Sequence, residues 1–362
     1  MLDVLYRHCV ADGTSYEVGY ELGKQLADDN KLINDLTTPL FGGPPLSEKQ
    51  VEEAAAMFEK YIPNINEEIK GFSDAVGAKY TDMVIYSSYL NIQGGCSHFV
   101  VTNNKGDKRK MFHARNYDFH YNETPILITA RTKGKNRSTG FDCKVFGRFD
   151  GMNEQGLCIT TSAADVKHTG KMGNGFIFPM AVRAVLDQCS NLYEAKELLM
   201  ELPFAEYRNF LISDKTGLAV LVEMSPDKKA YKFINTELDN DFLCSANHFI
   251  LEKHNDIVPV NHSLVRQKKM EEIFAHDNEL SLEFVKSVLS TRYPEGLVFP
   301  YYQDGMGTLW SVIFEPQSLS QYVCFGSPES NKWFKVNPNK KNGCGKAIVT
   351  LVSENAPNDF WN

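Results

Sequence analysis

The tripeptide Gly94-Gly95-Cys96 separates two periodicities, and that change of period limits what the chain can fold into. Before it, apolar residues recur at helical spacing. Ser47-Glu-Lys-Gln50 is a capping box, and Val51, Ala55, Phe58 and Ile62 follow along one face. Pro63 ends that helix and starts the next, so residues 1–92 are expected to be mostly helical. After the tripeptide the period is two: Ser97-His-Phe-Val-Val-Thr102, a turn at Asn103-Asn-Lys-Gly-Asp107 and Lys110-Met-Phe-His-Ala-Arg-Asn116 read as a hairpin. Further strands are expected at 125–131, 143–149, 156–162, 208–213 and 217–224, the last two joined by a type I turn at Ser213-Asp-Lys-Thr-Gly217. Helical spacing returns over 177–201, 261–275 and 281–290, and strands at 308–314 and 320–325 close the pattern. No internal repeat, low-complexity tract or linker interrupts it, so 1–362 is read as a single domain. Alternating runs of strands and helices point to two antiparallel sheets with helices outside them.

Composition restricts the partners. A chain of 362 residues buries a large core without disulfide or metal staples. Lys+Arg 38 against Asp+Glu 46 leaves a net charge of −8, with no basic block, which excludes the electrostatic footprint of a nucleic-acid or anionic-membrane binder. Small molecules are the expected partners. Neither a basic, apolar leader nor a spanning stretch of about 18 apolar residues is found, and the expected location is cytoplasmic. The sequons at Asn122, Asn136 and Asn261 then carry no meaning. The 8 cysteines form no Cys-x-x-Cys pair, so most are read as buried free thiols and at most one as special. No cofactor or metal is expected: His113 and His120 lack a third ligand, and Cys244 with His248 completes no set.

Cys96 is the candidate nucleophile. Two glycines before it permit backbone conformations closed to other residues, at the junction where the β region begins. Attack of its thiol on the Gly95 carbonyl, followed by hydrolysis, would release residues 1–95 and leave Cys96 with a free α-amine. Such an amine has an ordinary pKa of about 7.7–8.0 and can take the thiol proton near neutral pH. The tripeptide by itself equally describes a turn entering a strand with a buried thiol. A papain-like pairing with His98 or His113 is disfavoured, because a reactive cysteine of that kind opens a helix and Ser97-His-Phe-Val-Val reads as strand. Arg115 and Asp118 end the second arm of the hairpin, which can return beside the start of the first. A guanidinium there favours a thiolate and a carboxylate holds a protonated amine; a surface ion pair is the plain alternative.

Seven segments then occur in a familiar order: Gly13-Thr-Ser-Tyr-Glu-Val-Gly-Tyr-Glu-Leu-Gly23, Gly95-Cys96, Ala114-Arg-Asn-Tyr-Asp-Phe119, Asp150-Gly-Met-Asn-Glu-Gln-Gly-Leu157, Ser245-Ala-Asn-His-Phe249, Ser263-Leu-Val-Arg266 and Thr308-Leu-Trp-Ser-Val312. Together they resemble the acyl-coenzyme A:6-aminopenicillanic acid acyltransferase family, related to the choloylglycine hydrolases. The resemblance implies an α+β fold, the four-layer αββα sandwich of N-terminal nucleophile hydrolases, made as a precursor that cuts itself between Gly95 and Cys96. Residues 1–95 then look like the small chain and 96–362 like the large chain with the catalytic core. The resemblance assigns Cys96 as nucleophile, Asp118 as the carboxylate that positions its amine, Arg115 as the arginine beside the thiol and Asn247 as an oxyanion donor. Arg266 resembles a further active-site arginine. A second donor is expected near Ser162, while Asn153 is expected to shape a turn.

These readings lead to a self-processing cysteine amidohydrolase that cleaves a linear, non-peptide amide of a small N-acyl substrate through a thioester on Cys96. Acyl transfer to an amine acceptor is the alternative within enzymes, and a non-catalytic binding protein of the same fold the alternative outside them. The resemblance allows a homo-oligomer and leaves the substrate open.

Overall fold

The computed structural model describes residues 1–37, 47–86, 95–103, 110–123, 125–164, 175–235, 237–238, 240–251, 259–276, 279–337 and 339–361. Gly94 and most of the hairpin turn after Asn103 lie outside them. The first part of the chain runs β1 (Leu2–Gly13), α1 (Ser15–Leu26), α2 (Asn30–Thr37), α3 (Glu48–Tyr61), α4 (Ile65–Val76) and α5 (Tyr80–Tyr86). Next come β2 (Ser97–Asn103), β3 (Lys110–Phe119), β4 (Ile126–Thr132), β5 (Ser138–Asp142), β6 (Asp150–Asn153) and β7 (Cys158–Ala163). The middle holds α6 (Phe178–Gln188), α7 (Leu192–Glu201), β8 (Arg208–Ser213), β9 (Ala219–Met224), β10 (Lys229–Phe233) and β11 (Asn240–Ser245). The chain closes with α8 (Asn261–Ala275), α9 (Leu282–Ser290), β12 (Pro300–Tyr301), β13 (Met306–Glu315), β14 (Ser320–Phe325), β15 (Trp333–Lys335) and β16 (Gly343–Leu351).

Among the described residues these strands make two sheets. One has the order β10-β9-β8-β7-β6-β5-β4-β1-β16, the other β11-β2-β3-β13-β14-β15 with β12 beside β13. The sheets face each other through β2, β3 and β11 on one side and β7, β8 and β9 on the other. α6 and α7 cover the outer face of the first sheet, and α8 and α9 that of the second. Helix, sheet, sheet and helix therefore stack in the expected αββα order. A sheet covered on both faces has no wet side, which is why β3 is buried from Met111 to Asp118 even though polar residues alternate along it.

Two expectations fail in instructive ways. Residues 2–13 are not helical: β1 is inserted between β16, antiparallel to it, and β4, parallel to it, so the first sheet is mixed. The stretch 143–149 is not a strand but a bent segment between β5 and β6, with Val145 at φ 75. Its Arg148 is buried and donates to the carbonyls of Val145 and Gly147, so the backbone groups there serve the side chain instead of a ladder.

The other described residues of the first quarter are mostly helical, as the periodicity predicts. The Ser47 capping box forms with Gln50, and the helix stops at Tyr61 just ahead of Pro63. α1 and α4 cross at very short range. A Cβ added at Gly19 would lie 1.8 Å from the Glu68 carbonyl oxygen, and one at Gly71 would lie 2.1 Å from that of Tyr16. α4 is tied to α6 by a buried ion pair, Arg183 Nη2 to Glu68 Oε2 at 2.6 Å, with Asp187 taking the guanidinium Nε at 2.8 Å. Between the sheets, Trp310 stacks on Tyr117 with ring centroids 3.9 Å apart and on Phe141 at 4.7 Å.

Because the obstacle at Gly19 is backbone and not a movable side chain, Gly19→Ala is expected to destabilise the fold by about 1–3 kcal/mol or more through overpacking. Chemical denaturation would read this as a lowered midpoint; an unchanged midpoint would contradict the close crossing.

Candidate active site

The β2–β3 hairpin brings the candidate residues together. Their register pairs His98 with Arg115 and Ser97 with Asn116, and the Gly95 N–H extends the ladder by donating to the Asp118 carbonyl at 3.0 Å. With a side-chain period of two, Arg115 and Asp118 leave β3 on opposite faces. Arg115 enters the space between the sheets: Nη2 donates to Cys96 Sγ at 3.1 Å, and Nη1 to the Phe149 carbonyl at 2.8 Å and Asp150 Oδ2 at 3.3 Å. Asp118 turns toward α8, where Oδ1 accepts the Thr308 hydroxyl at 2.6 Å and Oδ2 lies 3.6 Å from Arg266 Nη1.

Arg266 gathers the other half of the site from one turn inside α8. Nη1 donates to the Gly95 carbonyl oxygen, Nη2 to Asn247 Oδ1 at 2.7 Å, and Nε to the His262 carbonyl at 3.1 Å. His262 Nδ1 lies 2.9 Å from Nη2 and so meets the guanidinium as an acceptor. The guanidinium also sits 4.5 Å from the Phe299 ring centroid, a cation–π contact. Asn247 follows the end of β11. Its backbone N–H donates to Ser263 Oγ at 2.7 Å and its side-chain amide to the Ala163 carbonyl at 2.9 Å. With Oδ1 held by Arg266, the amide nitrogen is the end of Asn247 left to donate.

The electrostatics are those of a closed, dry site. Cys96 is 2% exposed, and Arg115, Asp118, Asn247 and Arg266 are fully buried. Burial raises the Cys96 thiol above its ordinary value, and the Arg115 guanidinium opposes that rise without cancelling it. Burial likewise pushes the Asp118 carboxyl up to about 7, against the pull of Arg266, Thr308 and Arg115. Among the described residues Asp118 Oδ2 has no hydrogen-bond donor. Two guanidiniums, Arg115 and Arg266, face two carboxyl groups, Asp150 and Asp118, and the charges balance when both acids are ionised.

Other polar residues support this arrangement. Ser162, near the expected second donor, gives its hydroxyl to the Ala246 carbonyl and accepts from Asn209 at 3.1 Å, which places it beneath the Asn247 loop. Asn153 shapes its turn, accepting from Gln155 and Leu157 and donating to the Leu186 and Cys189 carbonyls at the end of α6. His113 bonds Ser213 at 2.8 Å and Thr160 at 2.7 Å, and burial lowers its pKa to about 3. Asp150 and Thr308 were not singled out as site residues from sequence, although each opens one of the seven segments. Asp150 holds Arg115 and receives Trp310 Nε1 at 2.9 Å, while Thr308 holds Asp118.

The raised Asp118 pKa has a definite sign in stability. Its folded value of about 7 lies above the ordinary 3.8, so folding favours the protonated acid. That contribution is complete below about pH 4 and is lost as pH rises toward 7. In a Cys96→Ala background, stability relative to the Cys96→Ala/Asp118→Asn chain should therefore fall between about pH 4 and 7. Parallel denaturation curves across that window would contradict it.

The family model for acyl-coenzyme A:6-aminopenicillanic acid acyl-transferase matches residues 102–330, a span that holds Arg115, Asp118, Asn247 and Arg266 and begins just after Cys96. Similar solved structures include a mutant conjugated bile acid hydrolase from Clostridium perfringens, with 15% identity over 73% of this chain and 99% of that one, at a TM-score of 0.43. Another variant of the Clostridium perfringens hydrolase has 15% identity over 72% and 98% of the two chains, with a TM-score of 0.42. Penicillin V acylase from Agrobacterium tumefaciens has 16% identity over 72% and 85%, with a TM-score of 0.39. No curated protein matches the sequence. The family match spans more than half of the chain and includes strands of both sheets, and the protein belongs to the acyl-coenzyme A:6-aminopenicillanic acid acyl-transferase family.

Proposed function

We propose that this chain is a self-processing cysteine amidohydrolase acting on small, linear N-acyl amides. The observation that carries the reading is that the Cys96 sulfur and the carbonyl oxygen of the peptide bond just before it are each held by a guanidinium. Arg115 reaches Cys96 Sγ at 3.1 Å, and Arg266 donates to the carbonyl oxygen of Gly95.

In the processing step the Cys96 sulfur gives up its proton and attacks the Gly95 carbonyl carbon. Negative charge collects on the carbonyl oxygen, where Arg266 already donates and where a fixed donor is most effective. The Gly95–Cys96 C–N bond breaks as its nitrogen takes up the proton that the sulfur released, leaving a thioester between Gly95 and Sγ. Water then hydrolyses the thioester, freeing the Gly95 carboxylate and regenerating the thiol on a residue that now carries an α-amine. The undonated Asp118 Oδ2 gives that amine a buried partner when it is protonated.

Turnover repeats the chemistry on a substrate amide. The α-amine takes the thiol proton, Sγ attacks the acyl carbon, and the side-chain amide of Asn247 stabilises the oxyanion once it leaves the Ala163 carbonyl. The proton returns to the departing amine, and water resolves the thioester. Arg115 lowers the cost of the thiolate throughout, and Asp150 and the Phe149 carbonyl keep it aimed. The family's description as an acyl-transferase favours one second reading, in which an amine displaces the acyl group from the same thioester. Rising acceptor concentration then diverts product from free acid to new amide.

Cys96→Ala is expected to remain a single uncleaved chain by intact mass and to release no amine from a panel of N-acyl substrates; normal release from that variant would end the proposal. Asn247→Ala should lower kcat by about 10²–10³-fold. Substituting Arg266→Met should slow the appearance of a fragment that begins at Cys96.

A further inference from the structure

The eight cysteines are free thiols, and seven of them are buried. Two, however, are neighbours. Cys9 on β1 stands directly opposite Cys344 on β16 in the antiparallel ladder, and their sulfurs are 2.7 Å apart. Facing residues in such a ladder have Cα atoms about 4.5–5.5 Å apart, inside the range of roughly 4.4–6.8 Å that a disulfide spans. We propose that Cys9 and Cys344 form a reversible cross-strand disulfide that fastens β1 to β16.

The surroundings divide the two thiols into distinct roles. Cys344 is half-buried on β16, the edge strand of its sheet, and the residues that follow it are exposed. The Cys9 thiol donates to it, and with Arg7, Lys346 and Lys340 nearby this holds the Cys344 thiol below its ordinary value. Cys9 is fully buried, and the same hydrogen bond and its burial raise its thiol. Cys344 is therefore the more accessible thiol and the one that ionises more readily, and Cys9 the resolving thiol behind it. With a small-molecule disulfide such as oxidised glutathione as oxidant, Cys344 attacks one sulfur and expels the other as a thiolate. Cys9, losing its proton, then attacks the Cys344 sulfur and expels the second. Two protein thiols are oxidised to one disulfide, and one glutathione disulfide is reduced to two glutathione thiols.

The location gives the bond a consequence, which rests on the proposed cleavage before Cys96. β1 belongs to the part released by that cleavage and β16 to the part retained, so the disulfide would join two chains otherwise held by hydrogen bonds and packing.

Purified full-length protein is equilibrated with oxidised and reduced glutathione in varied ratio, alkylated and mapped by non-reducing mass spectrometry. At the oxidising end the expected result is a cross-linked peptide pair containing Cys9 and Cys344. Cys344→Ser should leave Cys9 unmodified, and Cys9→Ser should stop at a glutathione adduct on Cys344. Both thiols alkylated at the oxidising end in folded wild-type protein, or glutathione stalled on wild-type Cys344, would overturn the proposal. The cross-link is read in cleaved and uncleaved protein alike. In cleaved protein the fragments separate on a denaturing gel only after reduction, whereas uncleaved protein carrying the same peptide pair would count against processing and not against the disulfide.

Discussion

A guanidinium shut away from water is tolerated only when acceptors meet its donors, and the fully buried Arg266 meets that demand from four separate stretches of chain. It donates to the carbonyl oxygen of Gly95, the side-chain oxygen of Asn247 after β11 and the carbonyl of His262 on its own helix, and it pairs by charge with the Asp118 carboxyl on β3 at 3.6 Å. No smaller cation reaches this set in one plane, because the fixed fork supplies several donors at set angles. The position of α8 over the second sheet therefore sets where the Gly95–Cys96 bond lies and which way the Asn247 amide is turned.

Arg115 does the complementary task from inside the sandwich. Strand alternation sends it away from Asp118, so one short segment of β3 supplies a cation to the Cys96 sulfur on one face and a carboxyl group to Thr308 and Arg266 on the other. Asp150 and the Phe149 carbonyl hold Arg115 from the facing sheet, and Trp310 in turn holds Asp150. The two sheets thus meet over the Cys96 sulfur through a continuous polar chain within an aromatic core. The low polarity of that core explains the raised Cys96 and Asp118 values: burial disfavours each anion more than the neighbouring arginines favour it.

The part of the chain before Cys96 is bound to the remainder in two ways: β1 is paired on both sides within the first sheet, with β4 and β16, and Glu68 meets Arg183 in a buried pair, while α1 and α4 interlock backbone to backbone at Gly19 and Gly71 within that part. Cutting the chain at Gly95 would leave all of these contacts in place, since each is non-covalent and remote from the cut.

Much of this was legible in the sequence, for a local reason. Helices over 178–188, 192–201, 261–275 and 282–290 and the β2–β3 hairpin follow from apolar spacing, capping and turn residues, which act between near neighbours. The seven ordered segments also singled out Cys96, Arg115, Asp118, Asn247 and Arg266, which the fold gathers into one buried cluster. What depends on distant partners was not legible. β1 reads poorly as a strand because β4 and β16, which complete its ladder, lie more than a hundred residues away in sequence. The bent stretch 143–149 looks like a strand because its apolar residues are buried, whereas its backbone is bent around Arg148. Asp150 and Thr308 acquire their roles only through the residues they face. The sequence by itself determined the elements and the chemistry available, because propensity and residue type are local; the tertiary structure alone decided which carboxylate meets which arginine, because hydrogen bonds between buried groups depend on distances that only packing sets.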